Sequence, residues 1–276
     1  METAEGIFEC KAKGKFRKEK ITPLAGDKVT ICINEGMENT IDKIEERKNV
    51  LKRPPVANID ARMIVVSTCE PFPNTLVIDK MTVLAEKNGI EPVIVITKTD
   101  LKNGEEIREI YSKTPYRIFE TDTENEEYLE EIKAFLSGKL TAFTGNSGVG
   151  KSTLINKLCP SLLLETAKIS DKLGRGRHTT RQAEIFHIGD GLVIDTAGFS
   201  SLDFLGPDVI RKDELEMYFP EFGPYLTDCR FTGCAHISDK GCEVCEQVQL
   251  GNISKSRHDS YTSLYNEAKN IKEWEL

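Results

Sequence analysis

Gly145-Asn146-Ser147-Gly148-Val149-Gly150-Lys151-Ser152-Thr153 is the stretch that decides the fold of this chain. It fits the G-x-x-x-x-G-K-[ST] pattern of a phosphate-binding loop. The apolar run 140–143 before it predicts a strand, and residues 151–158 after it predict a helix. Glycines let the backbone curl so that successive N–H groups face a β-phosphate. Lys151 supplies a point charge to the β- and γ-phosphates, and the Ser152 hydroxyl ligates Mg²⁺. Working outward, buried-type strands at 63–66, 92–96, 185–188 and 192–194 and a helix at 76–87 predict an α/β fold with a mainly parallel, helix-covered sheet.

Two further motifs complete a nucleotide site. Asp195-Thr196-Ala197-Gly198 follows a buried strand, 43 residues after Ser152. Asp195 at that strand end holds the Mg²⁺ shell through water, and Gly198 brings its N–H to the γ-phosphate without a side chain in the way. Thr97-Lys98-Thr99-Asp100 closes the strand before it, where P-loop GTPases usually carry Asn-Lys-x-Asp. Asp100, expected to be buried, accepts from both N1–H and the exocyclic amine of guanine, a donor pair that adenine lacks. The Lys98 stem lies along the base. Thr97 replaces the usual Asn, which alters one supporting hydrogen bond.

The order of the motifs is reversed from that of ordinary GTPases, because Asp100 precedes Lys151. Joining old termini and cutting a surface loop produces such a circular permutation. The segment Gly174-Arg175-Gly176-Arg177-His178-Thr179-Thr180-Arg181 lies between the loop and Asp195. Thr179 and Thr180 are the candidates for the switch threonine that ligates Mg²⁺, with Thr180 preferred. The permutation leads the switch segments directly into the C-terminal part, so γ-phosphate contacts are expected to be read there as a domain shift. Many GTPases place a water-orienting Gln after Asp-x-x-Gly, but this chain has Phe199. Slow intrinsic hydrolysis is therefore expected, raised by a partner or by a switch residue such as His178.

The chain of 276 residues divides into three parts on this reading. Residues 1–58 form a small β domain of the OB-barrel type, 59–203 the permuted GTPase domain, and 204–276 a helical, irregular domain. A net charge of −8 argues against broad nonspecific nucleic-acid binding. Locally, residues 11–20 carry six basic side chains and Phe16, which could pair phosphates and stack a base on a barrel face. The acidic stretch 120–131 is expected to face solvent. No apolar run is long enough to span a bilayer, and the N-terminus lacks a signal-peptide pattern, so a cytoplasmic protein is expected.

Eight cysteines in a reducing compartment call for metal or plain packing. Cys10, Cys32, Cys69 and Cys159 read as core thiols. The set Cys229-x₄-Cys234-x-His236-x₅-Cys242 offers three thiolates and an imidazole to tetrahedral Zn²⁺. Cys245 is an alternative fourth ligand that would leave His236 out.

The permuted order, residues 145–153, the Gly-Arg-His-Thr-Thr stretch and the Cys/His set together resemble the small ribosomal subunit biogenesis GTPase A (RsgA) family. The resemblance extends over nearly the whole chain, including residues 47–54 and 58–60. It implies an N-terminal OB-type barrel, the His236 ligand set for one structural Zn²⁺, and binding to the small ribosomal subunit and its rRNA late in assembly. It also implies GTP hydrolysis to GDP and phosphate, stimulated by that subunit. Ala61 stands where the family would suggest Gln, Cys245 is extra, and the base-closing loop falls near 119–121. Two rivals stay open: an ATP-dependent P-loop enzyme, against which Asp100 argues, and a nucleotide-gated RNA-binding module with negligible turnover, which Phe199 favours.

Overall fold

The computed structural model describes residues 1–34, 36–52, 55–121, 126–160, 184–195 and 209–271. Its centre is a six-stranded sheet of β8 (Ala61–Ser67), β9 (Glu91–Thr97), β10 (Arg117–Glu120), β11 (Leu140–Thr144), β12 (Glu184–Ile188) and β13 (Gly191–Asp195). The spatial order is β10-β9-β8-β11-β13-β12. All neighbours are parallel except the edge strand β12, which returns antiparallel along β13. Val, Ile, Met and Phe fill both faces of the inner strands, as expected for a sheet covered by helices on two sides.

One face packs on α4 (Glu127–Leu136) and α5 (Lys151–Leu158), where Ile132, Phe135, Leu154 and Leu158 meet Met63, Val95 and Phe143. The other packs on α2 (Thr75–Lys87) and α3 (Glu105–Tyr111), where Ile78, Met81 and Ile107 meet Ile64, Ile94 and Ile96. The acidic stretch is resolved into an amphipathic helix here: Glu127, Glu130 and Glu131 of α4 are exposed, while Leu129 and Ile132 are buried.

The small N-terminal β domain holds the three-stranded sheet β3 (Cys10–Ala12), β5 (Asn39–Ile44) and β4 (Val29–Cys32), in that order. Ahead of it runs the short ribbon of β1 (Glu2–Thr3) and β2 (Gly6–Ile7). The basic run departs from expectation. Residues 14–18 form a helical turn, α1 (Gly14–Lys18), with Phe16 at 4% exposure. Phe16 is thus core for a domain with few other large apolar groups, and it is not available to stack a base. Lys11 and Lys13 are already paired with Glu38 and Asp42. The ribbon of β6 (Val50–Lys52) and β7 (Pro55–Ala57) joins this domain to the sheet. Arg47 grips Asp27 through two hydrogen bonds of 2.7 and 2.8 Å. Gly26 is required there, since a Cβ would stand 2.1 Å from the Ala57 carbonyl.

The C-terminal part contains the 3₁₀ segments Leu215–Tyr218 and Pro220–Asp228, α6 (Glu243–Gln249) and α7 (Lys255–Lys269). Its core of Leu215, Phe219, Phe222, Tyr261 and Leu264 extends onto Val83 and Leu84 of α2. No helix among the described residues is long and apolar enough to cross a membrane. Of the four cysteines read as core thiols, Cys159 packs half-buried against the sheet core; the reading is corrected for Cys32, which is exposed, and for Cys10 and Cys69, which are only half-buried.

Candidate nucleotide and metal sites

Sheet topology selects one place for a ligand. From β8 the chain moves to β9 and β10 on one side, then crosses back to β11 and β13 on the other. The reversal opens a crevice at the carboxyl ends of β8 and β11, the usual ligand site of open α/β sheets. The phosphate loop leaves β11 at that point. Gly145 passes so close to β8 that a Cβ would lie 2.5 Å from the Val65 carbonyl. Gly150, at φ +92°, turns the loop into α5 as its N-cap. The first turn of α5 holds no acid, so its N–H groups and dipole are left to an anion.

Asn146, Ser147, Gly148, Ser152 and Thr153 are exposed or half-buried along this loop, whereas Val149 is buried at 3% exposure and anchors it. Asp195, at the end of β13, forms an ion pair with Lys151. The two residues that sequence reasoning assigns to phosphate and to the metal shell thus meet directly.

The turn at residues 97–100, the candidate for base reading, meets the same loop. Three hydroxyls fasten it: Thr97 donates to the Val149 carbonyl, Thr99 to Thr121 O at 3.0 Å, and Thr68 to Lys98 O at 2.8 Å. Lys98 adopts φ +60°, a conformation that costs a side-chain-bearing residue about 1 kcal/mol. Its ammonium donates to Glu70 O at 2.7 Å. Asp100 is exposed on the rim, contrary to the expected buried carboxylate. Within 119–121, Phe119 is core at 4% exposure and Thr121 is bonded to the turn through Thr99. The switch candidates His178, Thr179, Thr180, Gly198 and Phe199 lie outside the described residues.

In the C-terminal part, the donor atoms of Cys229, Cys234, His236 and Cys242 all lie within 4.8 Å of one another. Cys229 Sγ and Cys242 Sγ are each 3.5 Å from His236 Nδ1 and 4.0 Å apart. Tetrahedral zinc, with Zn–S of about 2.3 Å and Zn–N of about 2.0 Å, separates its ligand atoms by about 3.5–3.8 Å. The cluster therefore fits a zinc ion. The other imidazole nitrogen, Nε2, lies 3.0 Å from Glu216 Oε2, the carboxylate–histidine pairing that orients a ligand ring. Burial pushes the Cys234 and Cys242 thiols up to about 12, so metal binding there is coupled to proton release. Cys242 Sγ also accepts the Cys245 N–H at 3.4 Å and caps α6. Cys245 stands outside the set, with its sulfur 3.9 Å from His258 Nε2.

Sequence reasoning missed the buried contact that joins these two regions. Arg257 of α7, with no solvent exposure, donates to Asp79 Oδ1 of α2 and to Glu221 Oε1, both at 2.7 Å. Tyr111 of α3 adds a hydrogen bond to Asp79 at 2.8 Å. Lys87, at the other end of α2, holds the Val209 carbonyl and reaches Glu214 at 3.4 Å. The C-terminal part is therefore docked on α2. The one available signal was Asp79, an acid amid the apolar face of a predicted helix.

A phosphate-loop sequence leaving β11, the turn at residues 97–100 upstream of it and a parallel sheet reversing between them are the features of a circularly permuted P-loop GTPase. The RsgA GTPase family matches residues 44–205 and the RsgA N-terminal domain residues 1–41. The chain belongs to the RsgA family. The small ribosomal subunit biogenesis GTPase RsgA of Geobacillus thermodenitrificans is 43% identical over 273 residues, covering 96% of this chain and 92% of that protein. RsgA 2 of Oceanobacillus iheyensis is 44% identical over 271 residues, with coverage of 96% and 92%. Of the solved structures, YjeQ from Thermotoga maritima superposes with a TM-score of 0.80 at 35% identity, over 98% of this chain and 93% of its own. YloQ, described as a circularly permuted GTPase, gives 0.76 at 34% identity, with coverage of 96% and 87%.

Proposed function

We propose that this chain hydrolyses GTP to GDP and phosphate on the small ribosomal subunit, late in that particle's maturation, with the subunit as activator. The observation that carries the nucleotide half is the meeting of the base-reading turn with the phosphate loop at Thr97 and Val149. The ribosomal half rests on the name shared by relatives that are 43–44% identical over 96% of the chain.

On this reading the main chain of residues 145–150 receives the phosphates, with Lys151 leaving Asp195 to meet them. Ser152 and Thr180 hold Mg²⁺, with Asp195 in its outer shell. That ion, when bound, neutralises charge on the phosphate oxygens. Asp100 reads guanine, Lys98 flanks it, and Gly198 meets the γ-phosphate. Water positioning falls to the subunit or to His178, because Phe199 offers no polar group. Cys229, Cys234, His236 and Cys242 hold one structural Zn²⁺. The working division is 1–58, 59–203 and 204–276, in a cytoplasmic monomer that does not enter membranes.

Competition between GDP and ADP tests the base assignment: a preference for GDP of at least about tenfold supports it, and equal binding removes it. Hydrolysis with and without small subunits separates a subunit-gated enzyme from a nucleotide-gated module with negligible turnover.

A further inference from the structure

Of the cysteines in the C-terminal part, Cys245 is the one outside the ligand set. Its side chain is half-buried, with the sulfur 3.9 Å from His258 Nε2. Its main-chain N–H meets the sulfur of a ligand, Cys242, at 3.4 Å. Cys242 is the N-cap of α6, so its sulfur is turned over the first turn of that helix, the turn that carries Cys245. Residues three apart share one face of a helix. Cys-x-x-Cys at a helix start is also a spacing at which a dithiol closes to a disulfide and reopens.

The ligand set leaves the two sulfurs in different states. A metal-bound sulfur shares a lone pair with the ion and is less open to an oxidant. With the ion in place Cys229, Cys234 and Cys242 are so engaged, and Cys245 keeps a thiol that a small oxidant can reach. The energetics suit a switch rather than a staple. A disulfide across so short a loop takes little entropy from the unfolded chain, whereas a structural zinc ion carries much of the folding energy of its site. Exchanging one for the other loosens the metal loop, which α7 holds through His258 and Tyr261. In a reducing compartment such a disulfide forms on exposure to oxidant and is reversed by thiols.

We propose that Cys242 and Cys245 form an oxidation site, which hydrogen peroxide closes to a disulfide with release of the metal. Cys245 Sγ attacks one peroxide oxygen, the O–O bond breaks, and the thiol proton leaves with the other oxygen as water. The product is a sulfenic acid on Cys245. Cys242 Sγ then attacks that sulfur: the S–S bond forms, the S–O bond breaks, and the departing hydroxide takes a proton from solvent to become water. The two sulfurs lose two electrons and the peroxide gains them. Cys242 no longer donates to the metal, and three ligands remain. This rests on the zinc reading above and gives Cys245 a role separate from ligation.

The test uses the full zinc-loaded chain as wild type and as Cys245→Ser. Each is treated with hydrogen peroxide, zinc release is followed with a chromogenic chelator, and unreduced peptides are mapped by mass. Wild type is expected to release its zinc as a cross-link forms between Cys242 and Cys245, and a thiol reductant with added zinc is expected to reverse both. Cys245→Ser is expected to release zinc at least about tenfold more slowly. Release at one rate in both chains, a wild type without this cross-link, or zinc kept by the cross-linked chain would overturn the proposal. Failure of the zinc reading looks different: the wild type would hold no zinc before treatment, and the peptide map would then decide by itself whether the pair closes.

Discussion

At the scale of single residues, the chemistry rests on a few charges held in partly open positions. Lys151 is paired with Asp195, and the Asp195 side chain is 38% exposed, so the pair is reached from solvent and can be exchanged for phosphate. Lys151→Ala is expected to lower GTP hydrolysis by at least about a hundredfold through loss of charge at the phosphates, with little change in melting temperature. Asp100→Asn should reverse the base preference. An amide offers a donor where guanine also donates, so GDP affinity is expected to fall at least about tenfold while xanthosine diphosphate gains. Competition binding with the two diphosphates measures both effects. The placement of Lys151, Asp195 and Asp100 at the carboxyl ends of strands was legible in the sequence, because each follows a short apolar run. The direction of the Thr97 hydroxyl was not legible, since it depends on a loop 52 residues away crossing β8.

Among elements, α2 does the most. Its apolar periodicity made it visible in sequence as residues 76–87, one residue short of its observed start at Thr75. What it binds was invisible, because the partner of Asp79 is Arg257, 178 residues further on. Asp79, Glu221 and Arg257 are all essentially removed from water. Losing one member of such a buried ion cluster leaves uncompensated charge and costs about 3–5 kcal/mol. Arg257→Met is therefore expected to lower the midpoint of urea unfolding substantially, whereas Lys255→Met on the same helix, an exposed pair partner, should leave it almost unchanged. Equal effects from the two would remove the argument. The N-terminal domain shows the opposite failure of pattern reading. Within residues 11–20 the charge pattern gives no hint that 14–18 form a helical turn, whose one buried side chain is Phe16.

For the whole molecule, the described contacts place the Cys/His cluster and the phosphate-loop crevice on one continuous body. His258 Nε2 reaches the His236 carbonyl at 2.6 Å and Tyr261 reaches Ala235 O at 3.1 Å, so α7 holds the metal loop, while Arg257 of the same helix holds α2. The expectation that γ-phosphate contacts are read in the C-terminal part as a domain shift turns on switch segments that lie outside the described residues. Elemental analysis is expected to find one zinc ion per chain, retained in Cys245→Ser and lost in His236→Ala; the reverse pattern would hand the fourth ligand position to Cys245. The central claim, a permuted GTPase whose turnover is gated by the small ribosomal subunit, is tested most directly by GTP hydrolysis with and without purified small subunits, using Lys151→Ala as the blank. The account predicts strong stimulation that the blank lacks. Guanine-specific binding with no stimulation by subunits would contradict it.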